Sequence, residues 1–192
     1  MQPFIVLVRI LPAILWLCWL TFWLLAARRT AANQRMETPL TGASYRILLV
    51  LGIILIAVPR WPLPLLNLTL WPPTPSIVAA GVVLTAAGLA FAVWARIHLG
   101  KYWSGRVTLK VDHRVIQTGP YAWVRHPIYS GLILALLGTT ITLSTLHASI
   151  GFVLMFISFV RKLQIEENWL RSHFGEEYER YQKRVKALIP YW

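Results

Sequence analysis

Four long apolar stretches constrain this chain more than any other feature of its sequence. A helix that crosses a bilayer needs about 20 mostly apolar residues, and residues 4–27, 45–66 and 75–99 each meet that requirement. The fourth stretch, residues 127–160, is too long for one crossing and weakens at residues 143–149, so we expect two short helices joined by a tight turn. The sequence therefore predicts an all-α integral membrane protein with five transmembrane helices.

The composition agrees with this class. Hydrophobic residues make up 57% of the 192 residues, charged residues 14%, and the mean hydropathy is +0.57. A soluble domain of this length could not hide so much apolar surface. The single cysteine, Cys18, lies inside an apolar run, so we expect neither a disulfide framework nor a cysteine-based metal site. No other metal-binding constellation is evident in the sequence, and we expect no metal. We expect one membrane domain over residues 1–192, with three helices in 1–99 and the chemistry in 100–192.

The distribution of positive charge predicts the topology. The formal net charge is +12, and of the 19 Lys and Arg residues all but Arg9 and Arg60 fall within residues 28–46, 96–125 and 161–186. Five helices would place these three segments on one side of the membrane. The positive-inside rule then puts the N-terminus outside and the C-terminus in the cytoplasm. We expect no nucleic-acid partner, because no pattern of a nucleic-acid-binding module is present.

The polar tail that begins at Leu163 has the periodicity of a helix. Apolar and aromatic side chains recur there every three or four residues, at Leu170, Phe174, Tyr178, Tyr181 and Val185. This spacing predicts a C-terminal amphipathic helix that lies on the membrane or folds back on the bundle. Gly175 is a potential break in that helix.

Two polar clusters border the apolar stretches. Pro127 can begin a helix because its missing N–H would be unpaired in the first turn, which places His126 at the helix N-terminus and Tyr129 one turn inside. Interfacial anchoring is an alternative role for the neighbouring Trp123 and Arg125.

The second cluster ends the last apolar stretch and comprises Arg161, Lys162, Glu166 and Glu167. Lys162 and Glu166 are four residues apart and would face each other on a helix. A salt-bridged helix end is one interpretation of this pair. Carboxylates at the border of a bilayer are costly, however, and tend to mark functional sites.

An ordered set of motifs between residues 99 and 190, about half of the chain, carries a family resemblance. The motifs are Leu99-Gly100, Trp103-Ser104, residues 113–116, 118–121 and 125–131, Glu166-Glu167, residues 174–178, Tyr181, Arg184-Val185 and residues 188–190. In their order and spacing they resemble the isoprenylcysteine carboxyl methyltransferase family, and more broadly the membrane methyltransferases that include phospholipid N-methyltransferases. The first three helices match this family only in being apolar.

The resemblance implies a cofactor and a set of site residues. The cofactor would be S-adenosylmethionine, with S-adenosylhomocysteine as product, held without a Rossmann domain by the last two membrane helices and their cytoplasmic flanks. Residues 113–116 would cradle it, largely through backbone groups. The implied cofactor-binding residues are His113, Arg114, Val115, Ile116, Tyr121, His126, Pro127, Ile128, Tyr129 and Glu166.

The family also places a basic residue just before the glutamates to orient the acceptor, and both Arg161 and Lys162 are candidates here. Methyl transfer from a sulfonium needs neither a metal nor an enzyme nucleophile. With a carboxylate as acceptor, catalysis comes mainly from positioning and from a dry site. An amine acceptor would also need a base, a role open to Glu167 or His126.

We therefore expect a multi-pass membrane methyltransferase whose active site faces the cytoplasm. Its acceptor would be lipophilic, would come from the bilayer, and would most simply be the carboxylate of a prenylcysteine-like molecule. Phospholipid N-methylation is the first alternative, and a reductase that uses NADPH on a related fold is another. A non-catalytic transporter or assembly factor is the alternative from a different class. No obligate protein partner is evident.

Overall fold

Helices make up most of this computed structural model, which describes residues 3–28, 30–110 and 114–190. Within that part of the chain, side chains are described for all residues except 3–9, 33–35 and 110. The helices are α1 (Pro3–Ala27), α2 (Pro39–Ala57), α3 (Pro75–Leu99), α4 (Pro127–Leu143), α5 (Leu146–Phe174) and α6 (Glu176–Arg184). Short 3-10 turns cover Pro64–Asn67, Gly100–Tyr102 and Gly119–Ala122, and two strands are β1 (Asn33–Met36) and β2 (Thr108–Lys110).

Four of the described helices, α1, α2, α3 and α5, are long and apolar enough to cross a membrane. The helix α4 is apolar but has only 17 residues, a length of about 26 Å at 1.5 Å per residue. That length is at the lower limit for a crossing. The expected five helices are thus present as four candidate crossings and one shorter apolar helix.

The long fourth apolar stretch breaks at Ser144 and Thr145, between α4 and α5. Ser144 adopts a left-handed conformation with φ of 52°, which reverses the chain within two residues. The break falls inside the weak point expected at residues 143–149.

The prediction for the second helix was wrong in its bounds. The helix α2 begins at Pro39 rather than residue 45, because the Thr38 side chain caps it by accepting the Thr41 N–H at 3.2 Å. It ends at Ala57 rather than residue 66, before the prolines that follow. There Asn67 bonds the backbone of Trp61 in both directions, at 2.9 and 2.8 Å.

The all-α prediction missed a small antiparallel sheet. Strands β1 and β2 pair with Arg35 opposite Leu109 and Met36 opposite Thr108, and the register is irregular between Asn33 and Arg35. These strands are too short and too polar to show an alternating pattern. The sheet ties the α1–α2 connection to the α3–α4 connection, and so it brings residue 37 close to residues 105–107.

Glycines allow α3 and α4 to pack with their backbones almost in contact. A Cβ at Gly88 would lie 2.5 Å from the Gly131 carbonyl oxygen on α4. Gly81 faces Gly138 of α4 in the same way. Small residues in these positions are typical of helix pairs inside membranes.

The C-terminal region folds back on the bundle. The helix α5 continues to Phe174, and Gly175, with φ of 54°, separates it from α6 at the expected position. Tyr178 and Tyr181 of α6 are buried. The α6 helix is therefore held against α5 and the segment that precedes α4, and residues 163–174 form the end of α5.

Candidate active site

The centre of the site lies where the N-terminus of α4 meets the second half of α5. His126 is the N-cap residue of α4, directly before Pro127. The ring of Tyr129 stacks between His126, at a centroid distance of 5.5 Å, and Phe159, at 5.6 Å. Its hydroxyl donates a hydrogen bond of 2.7 Å to Oε2 of Glu166. Two residues from the first polar cluster thus meet one from the second.

Glu166 keeps one carboxylate oxygen available. Within the described residues Oε1 receives no hydrogen bond, and the side chain is only half-buried. Burial raises the pKa of the neighbouring Tyr121, and the negative charge of Glu166 raises it further, so this phenol is neutral. A carboxylate that has one oxygen without a hydrogen bond and lies among neutral aromatic groups is suited to binding an ammonium or hydroxyl groups of a ligand.

Glu167 is the opposite case, since its carboxylate is surrounded by donors. Arg125 contributes Nε at 2.8 Å and Nη2 at 2.6 Å, and His126 approaches with Nε2 at 3.1 Å. Gln182 of α6 donates to the other oxygen at 3.1 Å, and the Tyr178 hydroxyl lies 3.5 Å away. Glu167 therefore joins the start of α4 to α6 through α5.

The structure separates the two basic candidates on α5. The ammonium of Lys162 donates to the Gly105 carbonyl oxygen at 2.7 Å and lies 5.6 and 5.7 Å from the ring centroids of Tyr45 and Tyr129. Neighbouring residues on a helix point about 100° apart, so Arg161 lies on a different face of α5, where it is exposed. Lys162 lies beside the Tyr129–Glu166 pair, and Arg161 does not.

The segment expected to cradle a cofactor is described in part. His113 lies outside the described residues. Arg114 is exposed, whereas Val115 and Ile116 are half-buried. Ile116 packs against the hydrophobic core that contains Phe159. The two apolar residues of this segment thus lie on the bundle, and the arginine faces outward.

Other predicted site residues are part of the packed interior. Pro127 and Ile128 are buried in the first turn of α4. Tyr121 is buried below them, and its carbonyl oxygen accepts a 2.6 Å bond from the Tyr181 hydroxyl of α6. All three residues are thus packed in the interior, and the bond from Tyr181 to Tyr121 ties α6 to the segment before α4.

A third polar cluster, which the sequence analysis missed, lies on the other side of Lys162. This Glu37 cluster comprises Glu37, Tyr45, Arg46 and Arg106. The Glu37 side chain is 0% exposed, and its Oε1 accepts hydrogen bonds from the Tyr45 hydroxyl and from Arg46 Nη2, the latter at 2.9 Å. Arg106 donates to the Glu37 carbonyl oxygen at 3.1 Å, with Nε 3.9 Å from Oε1. The only signal in the sequence was a lone acidic residue in a basic segment.

Comparisons with known proteins point to one family. Residues 79–172 match the model of the isoprenylcysteine carboxyl methyltransferase (ICMT) family. The protein-S-isoprenylcysteine O-methyltransferase of Schizosaccharomyces pombe is 36% identical over 99 residues, which cover 50% of this chain and 42% of that protein. A probable protein-S-isoprenylcysteine O-methyltransferase of Oryza sativa subsp. indica is 31% identical over 114 residues, 58% of this chain and 60% of that protein.

The fold agrees with the sequence comparison. A solved structure of the eukaryotic intramembrane Ras methyltransferase ICMT superposes with a TM-score of 0.51 at 26% sequence identity, covering 77% of this chain and 52% of that one. The chain thus spans between two fifths and three fifths of the length of these relatives. The resemblance that the motifs indicated is confirmed in sequence and in fold, since this chain is similar to members of the isoprenylcysteine carboxyl methyltransferase family in both.

Proposed function

We propose that this chain is an integral membrane methyltransferase that uses S-adenosylmethionine to esterify the carboxylate of a prenylcysteine-like lipophilic acceptor. The observation that carries the proposal is the arrangement of Lys162 and Glu166 on α5. Tyr129 contacts both of them, through its ring and its hydroxyl respectively. A site for a positive group and a site for a negative group therefore lie side by side, within the part of the chain that matches the family.

The residues around Glu166 fit the cofactor. When bound, S-adenosylmethionine would supply a sulfonium methyl group: the carboxylate oxygen would bond to the methyl carbon as the carbon–sulfur bond breaks, which gives the methyl ester and S-adenosylhomocysteine and releases no proton. Glu166 binds the ammonium or the ribose hydroxyls through its free oxygen, and Tyr129 fixes the other oxygen. Phe159 and Ile116 exclude water from this side.

Lys162 orients the acceptor. Its ammonium has three donors, of which the Gly105 carbonyl oxygen takes one. The remaining donors hold the acceptor's carboxylate, and the shared contact with Gly105 keeps the pairing loose enough for that carboxylate to remain nucleophilic. Catalysis then rests on positioning rather than on a chemical step by the protein.

The state of Glu167 favours a carboxylate over an amine acceptor. An amine must lose a proton, and Glu167 or His126 would have to take it. The Glu167 carboxylate already accepts hydrogen bonds from Arg125 on Oε1 and from Gln182 on Oε2. His126 Nε2 lies within hydrogen-bond distance of the oxygen that Arg125 contacts. Glu167 therefore acts as a positioning residue that holds the start of α4 in place.

The positive charge of the chain supports a cytoplasmic site. The Lys and Arg residues concentrate in the same segments that build the site: the α1–α2 connection, residues 96–125, and the chain after residue 160. Helices that are apolar and long enough to cross a membrane flank these segments, so we propose that the acceptor's apolar tail stays in the bilayer while its carboxylate meets Lys162 at the cytoplasmic face.

Binding of S-adenosylhomocysteine, measured by calorimetry on the detergent-purified protein, tests the cofactor assignment. We expect Glu166→Ala to weaken this binding about 10- to 100-fold, because one charged hydrogen-bonding group is lost. Glu179→Ala, which removes an exposed carboxylate of α6, is the matched control and should bind like the wild type. A folded, monodisperse wild-type protein that does not bind would overturn the proposed function.

Transfer of a labelled methyl group to N-acetyl-S-farnesylcysteine tests the acceptor class. The product should be a methyl ester that dilute base hydrolyses to methanol. Phosphatidylethanolamine, assayed in parallel, should remain unlabelled. Label found only in a base-stable N-methyl lipid would replace the carboxylate with an amine as acceptor.

A further inference from the structure

A buried carboxylate at the start of α2 organises two guanidinium groups. Glu37 is fully enclosed, yet the Arg46 and Arg106 side chains that contact it remain 38% and 42% exposed. One cation would be enough to compensate one buried carboxylate. Here two cations converge on it and both keep an outward-facing side.

The guanidinium groups also have unused donors. Within the described residues, Nε of Arg46 and Nε of Arg106 are buried and lack a hydrogen-bond partner. Arg106 Nε lies 3.9 Å from the Glu37 carboxylate, which is too far for a hydrogen bond. Buried polar atoms without a partner are costly in a folded protein, and Glu37 Oε2 is another such atom in this cluster. Two guanidinium groups thus face one carboxylate, and the excess positive charge on their exposed sides points to an anionic ligand.

This cluster is continuous with Lys162. The Gly105 carbonyl that accepts from Lys162 directly precedes Arg106, and the Tyr45 ring that Lys162 covers carries the hydroxyl bonded to Glu37. Lys162 therefore stands between two groups of residues. Tyr129 and Glu166 lie on one side of it, and the Glu37 cluster lies on the other.

Gly42 leaves the space that this arrangement needs. A Cβ at Gly42 would contact the Arg46 guanidinium, with Nε at 2.8 Å. The side chain of Arg46 thus folds back along α2 to reach Glu37, instead of extending away from the helix.

We propose that Arg46, Arg106 and Lys162 together bind the carboxylate of the methyl acceptor, with Glu37 as the positioning residue for the two arginines. Guanidinium groups match the planar geometry of a carboxylate better than an ammonium does. The buried charge of Glu37 offsets part of the positive charge, so the acceptor is held without being paired too tightly. This inference rests on the proposed function and specifies its acceptor site.

The test compares Arg46→Gln and Arg106→Gln with Arg60→Gln, a charge-matched control in the exposed loop beyond the far end of α2. We expect KM for N-acetyl-S-farnesylcysteine to rise about tenfold in each of the first two variants, with kcat within about twofold. Calorimetric binding of S-adenosylhomocysteine should be unchanged in all three. Glu37→Gln should raise KM in the same way, because both arginines lose the negative charge that holds their guanidinium groups in this position.

A neutral ligand provides a readout that does not depend on turnover. The methyl ester of N-acetyl-S-farnesylcysteine lacks the carboxylate, so its binding should be equal in wild type, Arg46→Gln and Arg106→Gln. Unchanged KM in both arginine variants, with intact S-adenosylhomocysteine binding, would overturn the inference alone. An equal loss of acid and ester binding would also overturn it, since it would indicate damage to the tail site. A wild type without cofactor binding would overturn the proposed function instead.

Discussion

Replacing Arg125 with methionine is expected to lower the free energy of unfolding by about 3–5 kcal/mol, because it leaves a buried carboxylate without its main cation. The Arg125 and Glu167 side chains are only 9% and 12% exposed. Arg125 also donates to the backbone carbonyls of Gln182 and Val185. Its removal therefore affects α4, α5 and α6 at once.

Unfolding of the detergent-purified protein by SDS titration, followed through tryptophan fluorescence, measures this loss. The control is Arg180→Met, which breaks the exposed i,i+4 pair with Glu176 and should cost about 0–1 kcal/mol. A double variant, Arg125→Met with Glu167→Leu, should recover part of the loss since no charge is left buried. Equal midpoints for Arg125→Met and Arg180→Met would show that the buried pair contributes nothing to stability.

Adding one methyl group at Gly88 is expected to cost about 3 kcal/mol, at the upper end of what overpacking usually costs. The new Cβ would lie 2.5 Å from the Ala135 amide nitrogen and from the Gly131 carbonyl oxygen. Both are backbone atoms of α4, which cannot rotate away as a side chain can. Helices α3 and α4 must therefore move apart. Because Tyr129 belongs to α4, we expect its stack on Phe159 of α5 to shift as well.

Ala87→Leu is the control for this prediction. Ala87 is the neighbour of Gly88 but is exposed on the lipid-facing side of α3. Three added carbon atoms there should change the SDS unfolding midpoint little, whereas a single carbon at Gly88 should lower it clearly. If Gly88→Ala unfolds like the wild type, the close approach of α3 and α4 is wrong.

The features that could be predicted from the sequence are those that depend on residues close together in the chain, such as helix ends and turns. Pro127 marks the start of α4, Gly175 marks the end of α5, and the weak point near Ser144 marks the turn between α4 and α5. Each of these signals acts within a few residues. The ordered motifs after residue 99 likewise indicated the family, because their spacing along the chain is itself the signal.

The Glu37 cluster could not be predicted, because its partners are distant in sequence. Arg106 follows Glu37 by 69 residues, and the small sheet that brings them together has no alternating pattern. The choice between Arg161 and Lys162 depended on the rotation of α5 about its axis. That rotation is set by packing against α2 and α4, which the local sequence does not encode.

The contacts made by residues 186–188 bear on how truncation experiments on this chain should be interpreted. The backbone N–H groups of Arg125 and His126 donate to the carbonyls of Lys186 and Ala187 at 2.8 and 3.0 Å, and the Ser130 hydroxyl donates to Leu188 at 2.6 Å. Shortening the chain before Lys186 would remove no side chain assigned to cofactor or acceptor. It would still remove the backbone carbonyls that hold the segment containing His126 and Tyr129 in position. A loss of activity on truncation would therefore reflect this supporting role of the backbone, and would not show that residues 186–188 take part in catalysis.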